Sequence, residues 1–265
     1  MPELVDKSLY DTDFYKYNRN DAKLLSVNIV LAQFIKFVPN INSVVDFGCG
    51  VGTWLAGLKQ YGISDICGFD GNWVDKNLLI IPNECFFEVD FEEPIELKRK
   101  FELAISIEVA EHLSEKSANK FVETLVNASD IVLFSAAIPF QGGDNHINEQ
   151  WPEYWHNLFK AYDYIAADCL RKKLWANKMV LDFHKQSILI YGKKEKLLAL
   201  GISESDLCIE YPPMSLITPN IYLELVKESI YNMEPRLILK KLFVRLIRRV
   251  LGKKYFSKLV RAIKK

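Results

Sequence analysis

The stretch VVDFGCGVGTW, Val44 to Trp54, is an apolar run that breaks into glycines at 48, 50 and 52 and resumes at Thr53 as the start of a helix. Glycine lets the backbone turn sharply and approach a ligand that a Cβ would block. A dinucleotide fingerprint, G-x-G-x-x-G, would put its third glycine at position 53, which is Thr here; the spacing is instead G-x-G-x-G. Ligands of open α/β sheets lie outside the carboxyl ends of the strands, so the residues at each strand end carry the next information.

Outward from this turn, short apolar runs alternate with helical ones. The pattern predicts strands at Ser43–Phe47, Ile66–Phe69, Cys85–Val89, Leu103–Ile107 and Asp130–Ile138, with two more at Tyr164–Ala167 and Gln186–Tyr191. Helices are predicted over Asp21–Phe37, Thr53–Tyr61 and Ser114–Ala128, with a short one over Trp73–Leu79. Alternation without hairpin turns indicates a parallel sheet joined by right-handed crossovers. The predicted strand ends are acidic in turn: Asp70 in GFDG, Asp90 in VDF and Glu108 in SIEVAEHL. A carboxylate after the second strand suits two ribose hydroxyls as a double acceptor. A glycine loop with carboxylates at three successive strand ends points to a nucleoside site.

The motifs DFGCGVGTW, GFDG, VDFEEP and SIEVAEHL, in that order, resemble those of class I S-adenosylmethionine-dependent methyltransferases over roughly residues 44–193. The resemblance implies a Rossmann-like, seven-stranded, mostly parallel sheet with helices on both faces and an antiparallel last strand. It implies S-adenosylmethionine as cofactor, with Asp46, Gly48 and Gly50 at the methionine end, Asp70 on the ribose, and Asp90 with Phe91 at the adenine. Glu108, at the fourth strand end, is counted with this cofactor set.

After the fifth predicted strand comes PFQGGDNHINEQWPEYW, Pro139 to Trp155. If the methyl acceptor is a hydroxyl, it must lose a proton near the transition state, and histidine is the side chain poised near neutral pH. His146 is therefore the expected general base, with Glu149 orienting it or accepting a substrate hydroxyl. Trp151 and Trp155, four apart, can share a helix face as an apolar wall. The string HINEQWPEYW, followed by DCLRKKLW and DFHKQSILIYGKK, resembles a bacterial methyltransferase subgroup associated with surface polysaccharides or glycosylated metabolites. That likeness implies a sugar or glycan-precursor hydroxyl as acceptor. Arg171 and Lys172 either meet an acidic group on such an acceptor or form a solvated face. His156 and His184 are expected to be structural and Cys49 a small filler.

Glu108, Glu111 and His112 form ExxEH. The first reading is that Glu111 and His112 brace a helix start. The alternative joins them with Glu108 and His146 in a site for a divalent metal, similar to small-RNA 2′-O-methyltransferases. A metal-assisted RNA 2′-O-methyltransferase and a non-catalytic scaffold that keeps the nucleoside fold stand as alternative functions.

Charge is distributed unevenly. Lys plus Arg and Asp plus Glu balance at 34 each, yet Arg236–Lys265 holds 12 Lys/Arg and no Asp/Glu. That leaves 22 basic and 34 acidic residues in Met1–Pro235. Apolar residues in the tail recur at Leu239, Leu242, Phe243, Leu246, Ile247 and Val250, which reads as an amphipathic helix bent at Gly252. Such a tail suits an anionic membrane surface or a partner protein, or packs back on the acidic body; nucleic acid is disfavoured because stacking aromatics are too few. Five scattered cysteines without a CxxC pair, and no signal-peptide pattern, suggest a reducing cytosol, with the tail at the inner membrane surface. The organisation expected is an N-terminal helical segment over 1–40, a cofactor-binding core over 41–194, an extension over 195–235 and the basic tail over 236–265.

Overall fold

The computed structural model describes residues 21–93 and 95–231. The first 20 residues and the basic stretch 236–265, with its expected amphipathic helix, lie outside the described residues. The chain divides between Thr218 and Pro219 into two units. The second contains one described helix, α8 (Pro219–Tyr231).

The first unit is a sheet covered on both faces. Its strands are β1 (Ser43–Phe47), β2 (Asp65–Asp70), β3 (Phe86–Glu88), β4 (Leu103–Ile107), β5 (Ile131–Ser135), β6 (Ile165–Ala167) and β7 (Leu189–Gly192). They lie in the order β3-β2-β1-β4-β5-β7-β6. All neighbours pair in parallel except β7, which is antiparallel to both β5 and β6. This is the expected seven-stranded, mostly parallel, Rossmann-like sheet. Every residue of β1 and β4 is buried, as strands covered on both faces require.

Alternate side chains of the strands feed two cores. Val44, Leu103, Ile105, Leu133 and Ile190 pack in the layer that holds α1 (Asp21–Phe34) and α2 (Thr53–Lys59). Val45, Phe47, Ala104, Val132, Phe134 and Tyr191 pack in the opposite layer with α3 (Glu115–Ala128) and α4 (Pro152–Lys160). Short helices α5 (Arg171–Leu174), α6 (Asp182–Ser187) and α7 (Lys194–Ala199) complete the unit.

Several predicted elements differ in their bounds; the fifth strand ends at Ser135 rather than Ile138 and the first helix at Phe34 rather than Phe37. Gln186 belongs to α6, and the last strand begins only at Leu189, because the apolar run hides a helix end at Ser187. The predicted helix Trp73–Leu79 is a single 3-10 turn at Lys76–Leu78: Asp75 caps the Asn77 N–H, and Leu79 is already extended. The third strand begins at Phe86 rather than Cys85, since the Cys85 N–H is taken by the Pro82 carbonyl.

Because β1 sits between β2 and β4, the chain leaves its two central strands in opposite directions and opens a crevice at their carboxyl ends. Among the described residues no helix is long and apolar enough to cross a membrane.

Candidate active site

The glycine loop leaves β1 and is pinned to its neighbour. The N–H groups of Gly48 and Cys49 both donate to the Phe69 carbonyl, at 2.8 and 3.0 Å. Gly48 has φ 83°, and a Cβ there would come within 2.2 Å of a Val109 methyl. Only glycine meets both conditions. The Gly50 N–H donates to Asp70 Oδ2 at 2.6 Å, and the Gly71 N–H to Asp70 Oδ1 at 2.7 Å. Asp70 therefore shapes the loop while its remaining lone pairs stay available.

Two buried acids face this loop. Burial, and then the nearby Asp70 charge, push the Asp46 carboxyl well above the usual carboxylate range. Asp46 Oδ2 is buried without a hydrogen-bond partner. Burial pushes Asp70 up to about 6, against the two glycine N–H bonds, which favour the ionised form. Asp70 accepts the Gly50 N–H and its charge acts on Asp46, so both carboxylates lie beside the glycine loop.

The remaining residues of the expected cofactor set are placed differently. Asp90 is exposed, and its Oδ1 accepts the Glu92 N–H at 3.0 Å. The Phe91 ring is buried and meets the Phe121 ring edge-on at 5.5 Å. That ring is occupied by the core and offers no free stacking surface. Glu108, at φ 57°, has both carboxylate oxygens engaged by protein groups. Ser135 Oγ and Ser187 Oγ donate to Oε1 at 2.7 and 3.2 Å, and Gln141 Nε2 donates to Oε2 at 2.7 Å. Glu108 thus acts as a junction between β4, β5 and α6.

The histidine loop converges on the turn after β4. His146 Nδ1 lies 2.9 Å from Glu149 Oε1, and Glu149 also accepts the N–H groups of Phe140 and Gly142. The other ring nitrogen, Nε2, lies 3.9 Å from Glu111 Oε1. Glu111 is fully buried on the 3-10 turn Ala110–His112, and both its carboxylate oxygens lack hydrogen-bond partners. Burial, then the Glu108 charge, raise its carboxyl well above the usual range. They do so against the nearby main-chain N–H groups of Glu111 and Ala137, which favour the ionised form without reaching full hydrogen-bond geometry. The His112 and His146 rings meet edge-on at 4.8 Å. Burial and the neighbouring His146 hold His112 down near 4, against a hydrogen bond with the Asn145 main chain. The Glu111 carbonyl accepts the N–H groups of Ile147 and Asn148, fastening the loop to this turn.

Ligand atoms of Glu111, His112 and His146 lie within 4.8 Å of one another. Of the four residues of the metal alternative, these three converge and Glu108 stands apart, its oxygens already taken. Glu149 fixes the His146 ring with its Nε2 toward Glu111, and the His112 ring is bonded to the Asn145 main chain.

Other expectations are corrected by burial. Trp155 is in the core, 5.5 Å from Phe134, so it cannot share an exposed wall with Trp151, which is 38% exposed. The geometry of α4, which buries one stripe of an amphipathic helix, separates them. Arg171 is fully buried and makes a bidentate pair with Asp168 (2.8 and 2.6 Å), so it meets no acceptor. Lys172 is exposed, with Asp206 3.7 Å away. His156 and His184 are buried; His184 accepts or donates to Ser26 Oγ at 2.9 Å, and burial holds it near 3. Sequence reasoning passed over Glu92, whose carboxylate accepts the Ser114 N–H and the Ser114 and Ser117 hydroxyls at the start of α3. An acid two residues beyond a strand-end aspartate carries no signal of this without the helix beside it.

A family model described as a methyltransferase domain matches residues 17–157, more than half the chain. The protein belongs to this methyltransferase family. No curated protein matches its sequence. Among solved structures, DesVI of Streptomyces venezuelae superposes with a TM-score of 0.50 at 12% identity, covering 72% of this chain and 99% of that one. A SAM-dependent methyltransferase from Archaeoglobus fulgidus gives 0.50 at 17% identity, covering 69% and 100%. An O-methyltransferase family protein from Burkholderia thailandensis gives 0.50 at 12% identity, covering 71% and 63%. At these identities the likeness is one of fold. The chain therefore shares the mostly parallel sheet of these methyltransferases.

Proposed function

We propose that this methyltransferase uses S-adenosylmethionine to methylate a hydroxyl, with a sugar or glycan precursor as acceptor. The observation that supports it most is the His146–Glu149 pair at the carboxyl edge of the sheet, beside the buried Glu111. A carboxylate on Nδ1 fixes the ring so that Nε2 is the nitrogen able to take a proton. The open space beside Gly50, where a Cβ would meet nothing within 4 Å, and the unpartnered Asp46 Oδ2 fit a nucleoside cofactor. Asp46, Gly48 and Gly50 would hold its methionine end, Asp70 its ribose, and Asp90 with the Phe91 main chain its base. When bound, that cofactor supplies an electrophilic methyl group; positioning and proton removal are the work of the chain. The sugar assignment is supported by the likeness of HINEQWPEYW to the polysaccharide-associated subgroup. Replacing His146 by Ala tests the reading: turnover should fall by ~10²–10⁴-fold with S-adenosylhomocysteine affinity kept. An unchanged rate removes the base. Absence of S-adenosylhomocysteine binding to the wild type would favour the scaffold alternative.

The two unpartnered Glu111 oxygens favour a second reading, in which Glu111, His112 and His146 hold a divalent cation that polarises the acceptor hydroxyl. Loss of turnover on chelation and its return with Mn²⁺ or Zn²⁺ would select this reading, and with it an RNA 2′-hydroxyl becomes a candidate acceptor. The basic tail is assigned to an anionic membrane surface, supported by its 12 cationic residues and apolar periodicity. Equal sedimentation with anionic vesicles after deleting residues 236–265 would remove that assignment.

A further inference from the structure

We propose that Gln186 is a positioning residue that sets, through Gln141, where the His146 loop stands; the role assigned to His146 rests on the reading above. Gln186 is fully buried on α6 and uses both ends of its amide. Its Oε1 accepts the Thr218 N–H at 3.2 Å, and its Nε2 donates to Gln141 Oε1 at 2.8 Å. Gln141 Nε2 then donates to Glu108 Oε2 at 2.7 Å.

The direction of this relay is forced. A backbone N–H can only donate, so the Gln186 carbonyl oxygen faces Thr218 and its NH₂ faces Gln141. Gln141 must accept there, which turns its own NH₂ onto Glu108, an acceptor when ionised. Every link has one allowed orientation.

The Gln186 end is fixed, and the loop is fastened at its far end, where the Glu111 carbonyl accepts the Ile147 and Asn148 N–H groups. The Gln186 main-chain carbonyl accepts from Arg171 at 2.9 Å, and the same Arg171 nitrogen donates to the Met214 main-chain carbonyl at 2.8 Å. Gln141 lies on the loop that carries His146, and that loop has left-handed residues at Phe140 (φ 66°) and Asn145 (φ 60°). Such residues are strained and persist only where the surroundings over-determine them. Glu149 supplies one set of restraints from within the loop. Gln141 supplies the hydrogen bond that ties it to α6 and β4.

Imidazole NMR of the full chain reads this without any acceptor, since the four histidines are few enough to assign. In the wild type the His146 ring N–H bonded to Glu149 should be protected from exchange. In Gln186→Met and in Gln141→Met that signal should be lost to exchange, while His156 on α4 keeps its resonances. The double variant should show no more than either single change, because both break one relay. S-adenosylhomocysteine binding serves as the control for folding, and the part-exposed Gln141 site covers the case in which Gln186→Met does not fold. An unmoved His146 signal in a folded variant overturns the proposal, even if thermal stability drops. Because no turnover is measured, failure of the base assignment and failure of this positioning role are separate outcomes.

Discussion

His146 Nδ1 stands 2.9 Å from Glu149 Oε1, and that one carboxylate also receives the Phe140 N–H at 2.7 Å and the Gly142 N–H at 3.0 Å. A single acid therefore both orients the ring and closes the loop around it. Three donors need an acceptor at every approach, which a carboxylate provides and an amide does not. Glu149→Gln should lower turnover by ~10²-fold or more with cofactor affinity kept. Steady-state rates at saturating cofactor check this, and a rate within twofold of wild type would reject the orienting role.

Gly143 lies against the same ring. A Cβ there would be 2.4 Å from His146 Nε2, at φ 152°. Gly143→Ala should displace the imidazole and cut turnover by ~10²-fold, as small misplacements at reacting groups do. A crystal structure of the variant with His146 unmoved would count against it.

Asp70 gives the pH dependence a defined sign. Its carboxyl titrates near 3.8 unfolded and near 6 folded. Between these values the folded protein keeps a proton that the unfolded chain has lost, so this group's contribution to stability falls as pH rises from about 4 to about 6. The difference is worth ~3 kcal/mol. His112 and His184, held below their ordinary value, act in the opposite sense, removing stability as pH falls below about 6.5. Comparing Asp70→Asn with wild type by urea unfolding from pH 4 to 7 isolates the aspartate. The stability gap should move in favour of the variant as pH rises, and parallel curves would exclude a perturbed Asp70.

Glu111 should behave in opposite ways with and without metal. Its buried oxygens have no partners, so in chelated protein Glu111→Gln should raise stability by ~1–3 kcal/mol. With Mn²⁺ present, thermal unfolding should rank wild type above the variant if the cation reading holds. Destabilisation in chelated protein would show that the carboxylate is already satisfied.

Arg171 carries a buried pair with Asp168 and two main-chain carbonyls, so Arg171→Ala should cost ~3–5 kcal/mol by leaving Asp168 unpaired. Urea unfolding measures it, and a loss below ~1 kcal/mol would mean the pair relaxes to solvent.

The sheet was legible because its signals are local. The apolar run at Val44–Phe47, the glycines after it and the acids at successive strand ends each depend on neighbours a few residues away. Where two elements share one apolar run, as at Gln186–Tyr191, periodicity could not divide them, because a buried helix end and a buried strand look alike in sequence. His146 and Glu149 were readable as a pair because they are three residues apart.

What the tertiary structure decided is which polar groups are already occupied. Asp46 near the end of β1 and Glu108 and Glu111 just after β4 are not told apart by the sequence, yet Glu108 is bonded by Ser135, Gln141 and Ser187, while Glu111 and one oxygen of Asp46 are left unpartnered. The same distinction separates Trp151 from Trp155, and an acceptor-facing arginine from a structural one at Arg171. Partners that lie 27 to 79 residues away along the chain consume or spare a side chain, and only folding brings them within hydrogen-bond reach.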